Sequence, residues 1–206
     1  MDGEECLWLV GLVVVFAVTL SILRKRGEEM RREAWRELAG RTGLTFESRP
    51  GKLFRKGSMS VAGTYRGRHL KLDTHQVQEP PSGEYDQGVT YTFTRTTISV
   101  NAPPEAELSL SAKFILGGGE LVGDKQFDRQ FVIKSQPKGL AAKVFASPEL
   151  RQHAFQTRST KFKLAHRELI WSKSDVEPDV EYLHSVFDLL CDVAEAVERA
   201  VQDTGD

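Results

Sequence analysis

The residues able to do chemistry are few and scattered. Five histidines, His69, His75, His153, His166 and His184, and two cysteines, Cys6 and Cys191, are spread over 206 residues. None falls into H-E-x-x-H or C-x-x-C spacing, so neither a zinc site nor a disulfide framework is expected. His69 and His75 share parity along a strand if it continues that far, the nearest approach to a metal pair in the sequence. Asp124 and Asp128 lie four apart and would share a face only in a helix. Their neighbours read as a turn entering a strand, which makes them caps or turn acceptors rather than a general acid–base pair. The glycine-rich stretch 117–125, GGGELVGDK, lacks both the G-x-x-x-x-G-K-[ST] spacing and the helix start of a phosphate loop. A flexible hairpin connection is expected there. There is no G-x-S-x-G, and no cysteine has an obvious partner base. The sequence therefore names no catalytic, cofactor-binding or metal-binding residue.

Charge is more informative. From Arg24 to Lys71 there are 14 Lys and Arg against 5 Asp and Glu, a net of +9. From Leu72 to Asp206 there are 14 against 21, a net of −7. The first five residues add Asp2, Glu4 and Glu5, and the chain as a whole stands at −1. The basic stretch supplies the candidates for contact with anionic lipid headgroups: Arg24, Lys25, Arg26, Arg49, Lys52, Arg55, Lys56, Arg66 and Arg68. An anionic leaflet attracts each nearby basic residue by on the order of 1 kcal/mol. Aromatic interleaving of the RNA-module kind is absent, so nucleic acid is not an expected partner.

The elements that must position these residues begin with an apolar run. Residues 6–23, CLWLVGLVVVFAVTLSIL, carry no charge. As a helix they extend about 27 Å, near the thickness of a hydrocarbon core. Trp8 lies near one end, where an indole favours the membrane interface. A cleaved signal peptide would want a basic start and a small-x-small cleavage site. Here the start is acidic and Arg24, Lys25 and Arg26 follow the run. The expected layout is a short extracytoplasmic tail (1–5), a transmembrane helix (6–23), a basic amphipathic juxtamembrane helix (24–43) and a cytoplasmic domain (44–206). The positive-inside rule orients it with the N-terminus out.

In the neck, Met30, Ala34, Trp35, Leu38 and Ala39 recur at helical spacing, which predicts a helix over about 28–41. Its apolar stripe either docks on the domain or lies on the membrane. Residues 58–64 and 69–74 alternate as strands around a turn at Tyr65-Arg66-Gly67-Arg68. Residues 89–100, VTYTFTRTTISV, form the clearest strand, with 106–115 a partner for it. Further strands are expected at 131–134, 161–164 and 168–172, and short helices after Gly139 and Ser147. Pro178 precedes a long helix to about Gln202. Its apolar positions Val180, Leu183, Phe187, Leu190, Ala194, Val197 and Val201 step by three and four. Val186, Cys191, Val193 and Ala200 widen that stripe, which suits docking on a sheet better than a coiled-coil seam for self-association. Its outer face is acidic: residues 175–206 hold 10 Asp and Glu and one Arg.

The stretch Gly123, Asp124, Phe127, Asp128, Phe131, Ile133, with Ser147, Pro148, Glu149, Leu150 and Arg151 behind it, resembles a G-D-x-x-F-D-x-x-F-x-[IV] pattern of uncharacterised prokaryotic membrane-anchored proteins. The likeness covers about 35 residues. It implies an N-terminal span and a cytoplasmic α+β domain, and it carries no activity to transfer. The expectation is thus an α+β fold: an antiparallel sheet of six or seven strands packed against a long C-terminal helix, on a membrane anchor. The leading function is a non-enzymatic interaction or scaffold module at the cytoplasmic membrane face. An anionic-lipid binder and an enzyme acting on membrane-associated substrates are the alternatives.

Overall fold

The computed structural model describes residues 3–49, 57–78, 90–113, 118–157 and 161–203. Within the first helix the side chains of residues 3–14, Ala17 and Arg24 lie outside that description. Lys52, Arg55 and Lys56 fall outside the described residues altogether.

Where two helices were expected, there is one. Helix α1 (Gly3–Thr42) runs 40 residues without a break, about 60 Å at 1.5 Å per residue. Nothing at 24–27 stops it: the basic residues there are good helix formers, and a single Gly27 costs only about 1 kcal/mol. The stop comes at Gly43, whose φ of +69° takes the left-handed position that closes a helix. Beyond it the Leu44 N–H returns to the Ala39 carbonyl at 2.9 Å, and the Leu44 side chain is buried. Trp35, Leu38 and Ala39 are buried too. The neck stripe therefore docks on the domain from Ala34 onward, while Met30 at its start is exposed. Among the described residues no helix is long and apolar enough to cross a membrane; more than half of the uncharged run 6–23 has side chains outside that set.

Eight strands follow: β1 (Thr45–Arg49), β2 (Ser58–Tyr65), β3 (Arg68–Gln78), β4 (Thr90–Ser99), β5 (Glu107–Ala112), β6 (Phe131–Gln136), β7 (Phe162–Ala165) and β8 (Glu168–Ser174). They form one antiparallel sheet in the order β1-β2-β3-β4-β8-β7-β5-β6. The expected β2–β3 hairpin is present. Its turn residues Arg66 and Gly67 have φ of 48° and 78°, the left-handed pair that matches strand twist. The sheet has eight strands where six or seven are expected, β1 being the addition, and one expected pairing is corrected. β5 pairs with β6 and β7, and β8 takes the place beside β4. The reason lies in the inward side chains: Ile98 and Thr96 of β4 stand opposite Leu169 and Trp171 of β8. Leu108 and Leu110 of β5 stand opposite Leu164 and Phe162. Sequence adjacency is only a tendency, and these large inward pairs override it.

The remaining helices are α2 (Lys125–Gln130), α3 (Leu140–Val144), α4 (Pro148–Gln156) and α5 (Val180–Gln202). Helix α5 starts where the Asp179 carboxylate accepts from the Tyr182 N–H at 3.0 Å. It buries Leu183, Val186, Phe187, Leu190, Val193 and Ala194, among others. That width matches docking across a sheet, and the heptad stripe is consumed inside the domain's own core. A second cluster holds the other end. Phe127 stacks against Phe131, Phe145 and Phe155 with ring centroids 4.7, 5.1 and 5.3 Å away.

Candidate functional site

A wide cavity with mixed chemistry lies where α1 passes over β2, β3 and β4. Its volume is about 720 Å³, within the range of small-molecule pockets. Leu20 and Leu23 of α1 form an apolar end, and Arg31 and Arg32 lie about two to three turns further along the same helix. Met59, Thr74, Gln76 and Thr92 of the sheet form the opposite wall. Glu28 and Asp175 stand at its rim and are exposed.

Below this cleft a buried hydrogen-bonded junction ties helix to sheet. The Trp35 indole N–H donates to the Glu177 carbonyl at 2.8 Å. The Thr94 hydroxyl donates to the Asp175 carbonyl at 2.6 Å and accepts from the Glu177 N–H at 2.8 Å. The Glu177 carboxylate takes the Asp179 N–H at 3.0 Å and pairs with Lys173. The linker before α5 thus fastens α1 and β4 to each other, and the cleft is the space left above it.

Arg31 and Arg32 are half-buried. Neither makes an ion pair or hydrogen bond among the described residues, whereas Arg41, Arg66, Arg68, Arg95 and Arg151 all pair with carboxylates. The Thr92 hydroxyl, in the same cleft, is buried with no partner. The Thr96 hydroxyl and the Trp171 indole N–H are also unpartnered but do not line it.

The lipid-contact candidates read from the sequence do not gather into one surface. Lys25 and Arg26 are exposed on α1, Arg49 is exposed on the edge strand β1, and the Arg24 side chain is outside the description. Arg66 and Arg68 are turned onto α5. Arg66 reaches Asp192 at 2.8 Å, Glu195 at 2.9 Å and Asp188 at 3.6 Å. Arg68 grips both oxygens of Glu198 at 2.5 and 2.7 Å. Arg41 pairs with Glu181. Much of the acidic face of α5 is therefore answered by basic residues of the same chain. The Arg68 guanidinium holds the Glu198 carboxyl below its ordinary value, against the opposing effect of burial, and the Asn101 N–H adds to it.

The other chemical candidates are accounted for by structure. His69 and His75 both sit on β3, roughly 20 Å apart along the strand, too far to share an ion. His184 is 3.0 Å from the Tyr65 hydroxyl, which donates to Asp188 at 2.8 Å; burial and that carboxylate raise the phenol well above its usual range. His153 contacts Asp192 at 2.9 Å. Cys191 is buried, and burial pushes its thiol up to about 11, which suits a core residue and not a nucleophile. Asp124 is the N-cap of α2, accepting from Gln126 and Phe127, and Asp128 accepts from Val122 at 3.0 Å. Capping was expected; the short helix that Asp124 caps was not. The glycine stretch is ordered at Gly118 and Gly119. Gly119 lies so close to β6 that a Cβ would stand 2.7 Å from the Ile133 carbonyl. Glu120 then fixes the loop through the Ile133 carbonyl, the Ser135 hydroxyl and the Gly139 N–H.

Sequence reasoning missed the cleft. Arg31 and Arg32 were counted with the neck's net charge, yet the available signal was the helical face that runs from Leu20 and Leu23 through Gly27 to Arg31 in steps of three and four. No protein-family model, no curated protein and no solved structure matches the chain.

Proposed function

We propose that the chain is a single-pass membrane protein and a non-enzymatic interaction module, its N-terminus outside and its domain at the cytoplasmic face of the cell membrane. The observation that carries this reading is the continuity of α1. The uncharged run 6–23 and the buried residue Trp35 belong to one helix. From Leu23 to Trp35 is about 18 Å along its axis. Such a domain has no flexible tether and holds one face toward the bilayer. Arg24, Lys25 and Arg26 at the end of the run fix the direction. The groups whose acidity shifts sit in ion pairs, in the core or at helix caps and loop hydrogen bonds, and none of them is among the residues lining the cleft. That arrangement favours a binding module over an enzyme on membrane-associated substrates.

The test is extraction and topology of the full-length protein in membrane vesicles of known sidedness. It should stay in the membrane at alkaline pH, with a C-terminal tag reachable only from the cytoplasmic side. Release by alkali, or a tag reachable only from the outer side, would overturn the reading. Capture of the full-length protein in detergent then identifies what it holds.

A further inference from the structure

We infer that the cleft between α1 and the β2–β3–β4 sheet binds one anionic glycerophospholipid of the surrounding leaflet. This deepens the membrane reading above and rests on it. The phosphate sits on Arg31 and Arg32, and an acyl chain lies against Leu20 and Leu23.

Position along the helix makes the first argument. Leu23 ends the uncharged run, and Arg31 follows about 12 Å further along the axis. Headgroups occupy roughly the 5–7 Å beyond the hydrocarbon on each side. Side chains on a helix lean toward its N-terminus, here toward the bilayer. Arginines a little over two turns below the run therefore reach back to the phosphate layer, and the cleft straddles the boundary between tails and headgroups.

Unsatisfied chemistry makes the second. Arg31 and Arg32 are half-buried, without a counter-charge among the described residues, while the other half-buried arginines, such as Arg68 and Arg151, have theirs. A phosphodiester offers such guanidinium groups the paired acceptor oxygens that the described residues do not. The Thr92 hydroxyl in the same cleft is buried and unpartnered, and is free to donate to the same phosphate. Glu28 and Asp175 oppose an anion, but both are exposed at the rim, where water screens them. The volume, about 720 Å³, admits a glycerophosphate head with the start of a chain.

The experiment measures which lipid the full-length protein retains. The protein is reconstituted in vesicles of phosphatidylglycerol and phosphatidylcholine, then released into mild detergent for native mass spectrometry. One phosphatidylglycerol per chain should remain bound. The R31Q/R32Q double variant should lose retention about tenfold, the worth of one charge-assisted contact. Gly27 faces open space within the cleft, so Gly27→Phe should fill it and also expel the lipid, with the domain's melting unchanged. Thr92→Val should weaken retention more mildly. Arg129→Gln, exposed on α2, should change nothing. Equal retention by wild type, R31Q/R32Q and Gly27→Phe, or equal retention of phosphatidylcholine, overturns the cleft site. Alkaline extraction of the same samples separates the two ideas. A protein that stays in the membrane but holds no lipid loses the cleft proposal alone, whereas a wild-type protein that is released loses both.

Discussion

Arg68 and Glu198 show what a single pair contributes in this fold. The guanidinium meets both carboxylate oxygens, and the Asn101 N–H donates to the same group at 2.6 Å. The pair joins the β2–β3 turn and the end of β4 to the last turns of α5. Because Glu198 titrates lower in the folded chain than in the unfolded one, its stabilisation is complete above the ordinary glutamate range near pH 4.5. It disappears as the pH falls through the lowered folded value. Glu198→Gln should thus lower the melting temperature at pH 7, and the difference from wild type should shrink toward pH 3. A difference that stays constant over that range would show that the charge plays no part. None of this was legible in the sequence. Residues 68 and 198 are 130 apart, and an acidic helix face reads the same whether water or an arginine answers it. The sequence did contain the opposite signs; only the fold brings them together.

At the scale of elements, legibility followed length and periodicity. Helix α5, at 23 residues, has three heptads of apolar spacing and was readable nearly to its ends, because a long amphipathic period is hard to mistake. The hairpins β2–β3 and β7–β8 were readable from alternation. The five-residue β1 was not, since only Phe46 turns inward and two periods of alternation carry little signal. Its partners could not be guessed either, nor could those of β5, for register is decided by distant inward side chains. The β7–β8 turn was hidden for another reason. Its two residues are His166 and Arg167, with φ of 51° and 65°, where Asn-Gly would be the common choice. Arg167 earns its place by donating to the Ala102 carbonyl at 3.0 Å. His166 is exposed and bears the left-handed strain without a visible return. His166→Asn should therefore stabilise the domain by up to about 1 kcal/mol, read as a higher midpoint in urea at unchanged slope. A lower midpoint would mean that the imidazole has a role outside the turn.

Across the whole molecule, the charge asymmetry along the chain does not become a simple dipole. Arg41, Arg66 and Arg68 belong to the basic stretch but lie on the acidic helix. Lys25, Arg26, Arg31 and Arg32, of the same basic stretch, lie on α1 above the Trp35 junction and pair with no carboxylate among the described residues, whereas Arg41, Arg66 and Arg68 do. The molecule therefore divides at that junction. Below it α1 contributes the buried residues Leu38 and Ala39 to the core; above it no described side chain is fully buried. This division predicts that the domain needs nothing before the neck in order to fold. A chain beginning at Glu28 removes Asp2, Glu4 and Glu5 together with Arg24, Lys25 and Arg26, so its net charge stays at −1. It should be a soluble protein that melts cooperatively, within about 5 °C of the full-length protein in detergent, a shift of the size that about 1 kcal/mol causes. Trp35 should remain shielded from aqueous quenchers, since its bond to Glu177 lies below the cut. Loss of the cooperative transition would show that the upper part of α1 supports the core as well as carrying it. Retention of the transition with Trp35 exposed would place the junction itself in doubt, because the indole bonds the linker before α5 directly.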